Sequence, residues 1–233
     1  MTSPPDVAVW YGVFLTSTVA HEAAHAFTAL RLGDPTAYQG GQVTLDPRPH
    51  VRREPVGTVL VPLLSLASGG AMIGWASTPY DPEWAMRHPR QAAMMALAGP
   101  LANLLLVAVC GCAIRFGVAA GVLGAPRAVS PSVVAIGPPG TWSALALILS
   151  VGFSLNLTLF ALNLIPLPPF DGGAALPIML PTAGGQAYRR MIIASRGVAM
   201  VGVLIAFQAI GPISHRAFLA AVNLLYAPAI QYR

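Results

Sequence analysis

The chain has 233 residues, 55% hydrophobic and only 9% charged. Soluble domains carry about 25% charged residues, so an ordinary water-facing exterior is excluded and most of the surface is expected to face lipid. The net charge of +5 rests on arginines without a single lysine. These arginines sit between apolar runs rather than on one basic face, a distribution that suits membrane-side loops and speaks against nucleic acid.

The apolar run from Val7 to Leu30 is the first expected span. Some 24 residues at 1.5 Å each reach about 36 Å, enough to cross a hydrocarbon core of ~30 Å. It has no basic leading region and holds the residues argued below to be reactive, so it is not expected to be a cleaved leader. A polar, glycine- and proline-rich stretch runs from Asp34 to Pro55. Within it, Gln39 to Leu45 reads as a short strand or hairpin ended by Asp46-Pro47. Val56 to Ala76 is apolar but interrupted by Pro62, Gly69, Gly70 and Gly74, and Ser77 to Arg90 is polar again.

Ala92 to Ile114 is a second clear span. Its Cys110 and Cys112 are two residues apart and point to different helical faces, so they read as small core hydrophobes rather than a disulfide or metal pair. A Gly/Pro/Ser-rich loop covers 115–140. Trp142 to Ile165 is a third span, closing in Pro166, Pro168 and Pro169. A fourth span is expected over Met191 to Gly211 and a shorter last helix over Ala217 to Ile230, with Tyr226 and Tyr232 as interface anchors. The predicted fold is an all-α polytopic membrane protein of about five transmembrane helices, with a re-entrant segment and a short membrane-associated β-hairpin. It forms a single domain over 1–233: core segments 7–33, 92–114 and 142–175, a re-entrant segment over 56–76, and accessory helices over 191–231.

The chemistry is concentrated in His21-Glu22-Ala23-Ala24-His25, an H-E-x-x-H pattern. Histidines at i and i+4 share one helical face about 6 Å apart, so both imidazoles can reach one metal ion. Glu22, beside the first ligand, is placed to take a proton from an activated water. Two histidines and a glutamate inside a span cost several kcal/mol unless they face a cavity and find partners. A hydrolytic zinc site normally has three protein ligands. Asp6, Asp34, Asp46, Glu54, Asp81 and Glu83 sit at loop-like or terminal positions, whereas Asp171 directly follows a span. Three prolines before it forbid regular helix, and irregular backbone at membrane depth is tolerated where it lines an enclosed cavity. Asp171 is therefore a natural third ligand.

His21-Glu-x-x-His25, followed by Asn163-x-x-Pro166-x-x-x-x-Asp171-Gly172, resembles the site-2 protease family of intramembrane zinc metalloproteases (peptidase family M50), and Gly99-Pro100-Leu101-Ala102-Asn103 resembles that family's middle core helix. The resemblance covers residues 10 to about 175. It implies one Zn2+ held by His21, His25 and Asp171, with Glu22 as general base. It further implies that Asn163 lies near the scissile carbonyl, stabilising the oxyanion or holding substrate backbone; an interhelical hydrogen bond is the other reading of that residue. For Asn103 close helix packing with Gly99 is the favoured reading. One departure is Ala174, which follows Asp171-Gly172-Gly173 where many relatives carry a basic residue. PDZ and CBS domains found in some relatives are not expected, so regulation would come from an unidentified gating partner.

Topology follows from depth. His25 lies about seven residues, or ~10 Å, from the end of its helix, and Asp171 follows the end of its own. The two helices should run the same way, which an odd number of crossings between them satisfies if 56–76 is re-entrant. The re-entrant arrangement puts Arg31, Arg48, Arg52, Arg53, Arg87, Arg90, Arg189, Arg190, Arg196 and Arg233 on one side and Arg115, Arg127 and Arg216 on the other. By the positive-inside rule the site is then near the cytoplasmic face of a multi-pass cell-membrane protein, with the N-terminus outside. The expected partners are the lipid bilayer and a transmembrane protein or peptide substrate, unwound against an edge supplied by Gln39 to Leu45, with Gly69, Gly70, Gly74 and Trp75 as a second wall. A metal transporter or sensor using the same histidines, or a non-catalytic membrane binding module, are the rival readings. His50, His88 and His215 are expected in loops and at a helix junction.

Overall fold

The architecture, taken from a computed structural model that describes residues 4–68, 72–194, 196–228 and 230–232, is helical throughout its ordered elements. Four long helices dominate the described residues: α1 (Pro4–Arg31), α6 (Pro89–Ala119), α7 (Thr141–Asn163) and α10 (Arg196–Tyr226). The short helices α2 (Thr36–Gln39), α3 (Pro47–Arg53), α4 (Val61–Ala67) and α5 (Pro82–Arg87) fall between α1 and α6, while α8 (Asp171–Ala175) and α9 (Thr182–Ala194) fall between α7 and α10.

α6 and α7 are both long and apolar enough to cross a bilayer, each with a mean hydropathy of 2.1 over its best window. The distribution of side chains around α6 fits a lipid solvent. Its inward face, at helical spacing, is small or polar: Ala96, Gly99, Asn103, Val107 and Gly111 are buried. Large apolar side chains point outward, with Leu101, Leu105, Val109 and Phe116 all exposed. Lipid is as apolar as leucine, so membrane helices associate through small residues and hydrogen bonds and leave bulky apolar groups outside.

Hydrogen bonds fix the directions of the helices. His21 and His25 of α1 meet Asn103 and Met95 of α6 in reverse order, so α1 and α6 are antiparallel. Asn156 of α7 reaches both Asn103 and Ser17. Segments 32–88 and 164–194 gather at one end of the bundle. At the other end, the 120–140 loop is held by Trp10 donating to Ser132 Oγ and by the Tyr226 and Tyr232 hydroxyls donating to the carbonyls of Val134 and Pro126. A hydrophobic core of Val107, Ile114, Val134, Phe153 and Val222 fills that far end.

The segment expected to re-enter does turn back on itself. A π-helical turn over Val56–Leu60 leads into α4, and beyond the undescribed residues 69–71 the chain returns without regular secondary structure, the Trp75 N–H donating to the Gly57 carbonyl at 3.0 Å. The two limbs touch because both carry glycine at the crossing: a Cβ on Gly57 would strike Trp75, and one on Gly74 would strike Phe14, Gly57 and Pro62. The expected Gly69/Gly70 contribution lies outside the described residues.

Two expectations need correction. The hairpin over Gln39 to Leu45 does not form: α2 ends at Gln39, Gly40 and Gly41 make a turn, and 43–45 are bends. Buried Asp34 accounts for this by accepting hydrogen bonds from the Thr36 N–H at 2.9 Å and the Asp81 N–H at 2.8 Å, which winds the chain after Pro35 and leaves residues 39–45 no facing strand. Likewise, the helices expected over 191–211 and 217–230 are replaced by the continuous α10, which carries Pro212 inside it. A proline costs a helix one hydrogen bond, and membrane helices tolerate that loss. The described residues thus hold four long helices in place of about five. Tyr232 sits at the far end, and Arg233 lies outside the described residues.

Gly57→Ala should lower the unfolding midpoint of the purified protein in detergent, by an overpacking cost of about 1–3 kcal/mol. An unchanged midpoint would contradict the close crossing of the two limbs.

Candidate metal centre

The centre is assembled from one face of α1, one face of α6 and the first residue of α8. Ser17, His21 and His25 are spaced by four, so they lie in a row on α1. Gly99 and Asn103 repeat that spacing on α6, with Met95 one turn before. His21 Nδ1–H donates to Asn103 Oδ1 at 2.6 Å, and His25 Nδ1–H donates to the Met95 carbonyl at 2.7 Å. Since both acceptors are oxygens without protons, each imidazole in its neutral form carries its proton on Nδ1 and presents a bare Nε2.

Those two Nε2 atoms face one another at 3.0 Å, and Asp171 Oδ2 lies 3.0 Å from the first and 3.3 Å from the second. His21, His25 and Glu22 are all buried. Two imidazole lone pairs and a carboxylate oxygen, pointing at one another with no proton between them, repel unless a cation lies among them. Asp171 Oδ2 is itself buried without a hydrogen-bond donor. Gly99 supplies the room: a Cβ there would run into both Nε2 atoms. The three candidate ligand atoms lie within 4.8 Å of one another, and a donor set of two imidazoles and one carboxylate suits a divalent ion of the zinc type. The site therefore fits the metal on its own geometry.

Asp171 is delivered by an irregular segment. Residues 164–170 are turns and bends, as Pro166, Pro168 and Pro169 demand, and α8 begins at Asp171 itself. Gly172 and Gly173 let α8 lie directly on that turn, because a Cβ on either would meet the backbone of residues 164–168.

Glu22 is held from a direction the motif does not reveal. The Thr78 hydroxyl, on the returning limb, lies 2.7 Å from Glu22 Oε2 and 3.0 Å from the Glu22 carbonyl oxygen. A cavity of about 280 Å³ opens beside it, bordered by Glu22, His25, Thr78, Tyr80, Asp171 and Arg189 among others. Asn163 is the last residue of α7, half-buried, and does not border this cavity.

Behind the metal face, Asn103 Nδ2 donates to Asn156 Oδ1 at 2.9 Å, and Asn156 Nδ2 reaches Ser17 Oγ at 2.9 Å and the Gly152 carbonyl at 2.8 Å. Asn103 is completely buried. Sequence reasoning favoured packing for Asn103 and passed over Thr78, Ser17 and Asn156. The row Ser17-His21-His25 was readable as a stripe of polar residues on an apolar helix. Thr78 carried no local signal, since its place depends on the limb's return. Of the remaining histidines, His50 is buried against the Thr44 carbonyl at 3.1 Å, His88 separates α5 from α6 beside Trp84, and His215 is exposed on α10.

Asn103→Ala should weaken zinc binding by about 10–100-fold, as loss of a ligand-orienting partner does elsewhere, read by competition against a chromogenic chelator. Gly99→Val should reduce zinc content further while leaving the far-end core untouched. Full zinc affinity in both variants would rule out this account of the centre.

The model of peptidase family M50 matches residues 10–209. Two relatives carry names beginning "Putative zinc metalloprotease": YwhC of Bacillus subtilis, 33% identical over 168 residues, covering 72% of this chain and 67% of that protein, and Rip2 of Mycobacterium tuberculosis, 32% identical over 197 residues, covering 84% and 65%. The chain thus spans about two thirds of the length of these relatives. No solved structure matches it. With an H-E-x-x-H helix, a carboxylate brought to it from residue 171 and a family match across most of its length, this chain belongs to the site-2 protease family of zinc metalloproteases, peptidase family M50.

Proposed function

We propose that the protein is an intramembrane metalloendopeptidase that hydrolyses peptide bonds in membrane-spanning substrate segments, in regulated proteolysis or in clearing signal peptides. The observation that carries this reading is the convergence of two unprotonated Nε2 atoms and a carboxylate beside a buried glutamate, inside a bundle whose outward face is apolar. Zinc bound by His21, His25 and Asp171 would lower the pKa of water towards 7 and polarise the scissile carbonyl.

Glu22 is the general base and then the acid. Its carboxylate takes a proton from the attacking water and passes it to the departing amine, while the Thr78 hydroxyl fixes the orientation of Oε2. The enclosing α1, α6 and α8 limit water to the cavity beside Glu22, where electrostatic interactions are stronger than in bulk solvent.

A helical substrate hides its carbonyls in its own hydrogen bonds, so it must be extended before attack. Residues 76–80 replace 39–45 as the edge against which it extends. They run along the cavity without regular secondary structure, and pairing with their main chain would hold a substrate strand across Glu22. Asn163 makes no hydrogen bond through its side chain among the described residues, so both of its amide functions are available to substrate backbone beyond the cavity edge.

The arginine distribution supports a site near the cytoplasmic face with the N-terminus outside. Arg31, Arg48, Arg52, Arg53, Arg87, Arg90, Arg189 and Arg190 belong to segments at the metal end, against Arg115 and Arg127 beyond it. The partners are then lipid and a single-span substrate, with a separate protein controlling access.

Glu22→Gln should reduce cleavage of single-span peptides in detergent or vesicles by about 10²-fold or more, with one zinc per chain retained. Chelation should abolish cleavage and added zinc restore it. Metal transport that survives Glu22→Gln, with no peptide cut by wild type, would favour the transporter instead. Thr78→Val should lower kcat several-fold with KM little changed; equal losses in a Glu22→Gln background would show that Thr78 acts independently of the base.

A further inference from the structure

Among the described residues Arg189 is a cation without a counter-ion in the wall of the cleft. It projects from α9 into the cavity that holds Glu22, His25 and Asp171, and it also borders an adjoining cavity of about 200 Å³ lined by Phe170, Tyr188 and Ile192. The two cavities share Tyr80, Pro169, Ala174 and Arg189 in their walls, so they adjoin one another with Arg189 bordering both. Among the described residues Arg189 makes no ion pair and no hydrogen bond through its side chain, and its Nε is buried without an acceptor. Its neighbour Arg190, by contrast, is exposed.

A guanidinium has five N–H donors in a planar fork. Leaving the buried Nε–H unpaired costs more than an ordinary hydrogen bond returns, unless a ligand supplies the acceptor. The planar fork matches a carboxylate with two parallel hydrogen bonds. Ala174, with its small side chain, borders the same two cavities.

We propose that Arg189 forms a carboxylate-binding subsite of the cleft, selecting substrate segments that present an acidic side chain, or a free C-terminal carboxylate, to one side of the scissile bond. This rests on the peptidase reading and names its preferred substrate class. The carboxylate accepts from Nε and one Nη of Arg189, while the apolar Phe170 and Ile192 take up the flanking residue. An extended chain advances about 3.3 Å per residue, so the preference is confined to a particular position in the substrate rather than to its overall charge.

The test uses single-span peptides in which one Glu, or its isostere Gln, is moved through the positions flanking the cleaved bond. A second arm uses neutral peptides ending in a carboxylate or a carboxamide, which separates the two sources of the group. Wild type should cut the Glu form at one position about 10-fold better in kcat/KM than the Gln form, mainly through KM, as a charge-assisted pair predicts. Arg189→Gln should bring that ratio near one, and Arg189→Lys should leave an intermediate ratio. The same preference should appear as tighter binding to Glu22→Gln, read by fluorescence anisotropy, so the subsite is measured even if no peptide is cut. A wild type that binds Glu and Gln forms equally, or a ratio that survives in Arg189→Gln with normal zinc content, overturns the proposal. Cleavage with no such preference overturns the subsite and leaves the peptidase reading standing.

Discussion

Two imidazoles and a carboxylate that aim lone pairs at the same point are the constraint around which the bundle is arranged. His21 and His25 can do this only because their other ring nitrogens are tied, one to the Asn103 side chain and one to the Met95 carbonyl. Without those acceptors either ring could carry its proton on Nε2 and turn away. The cation that such a cluster calls for would be held by α1 and Asp171, with α6 fixing the two rings of α1.

The same requirement accounts for the character of α6. A helix that must approach histidine rings closely cannot carry a side chain at the contact, so glycine stands at 99, and the amide of Asn103 one turn on completes the ring orientation. Buried polar groups in lipid are costly when unpaired. The chain therefore continues the network through Asn156 to Ser17 and closes it on the Gly152 carbonyl, which ties α1, α6 and α7 together at a single depth. Packing at the far end, around Val134 and Tyr226, adds stability without touching the chemistry.

The other groups around the cavity come from outside the long helices. Thr78 reaches Glu22 from the irregular segment before α5, Asp171 comes from the start of a five-residue helix, and Arg189 comes from α9. The first two are positioned by irregular connections, and each connection depends on a close backbone approach: Gly57 against Gly74 and Trp75, and Gly172 and Gly173 against residues 164–168. Irregular backbone is tolerable here because protein encloses it.

What could be read without coordinates was local or repeated at helical spacing. The i, i+4 histidines, the prolines before Asp171 and the long apolar runs are consequences of helix geometry and of covalent structure, so His21, Glu22, His25 and Asp171 and the paths of α1, α6 and α7 were legible. The return of residues 72–76 to Gly57 is a contact made by close packing of Gly57, Gly74 and Trp75. The hairpin at 39–45 failed because Asp34 bonds to residue 81, a partner no window around residue 40 contains. The two helices expected over 191–211 and 217–230 are one, α10, because the helix continues through Pro212 at the loss of one backbone hydrogen bond. Asn103, Thr78 and Arg189 acquire their roles only from neighbours distant in the chain. Which side chains share a face follows from the peptide's own period; which faces meet is decided by packing, and only the folded structure contains that information.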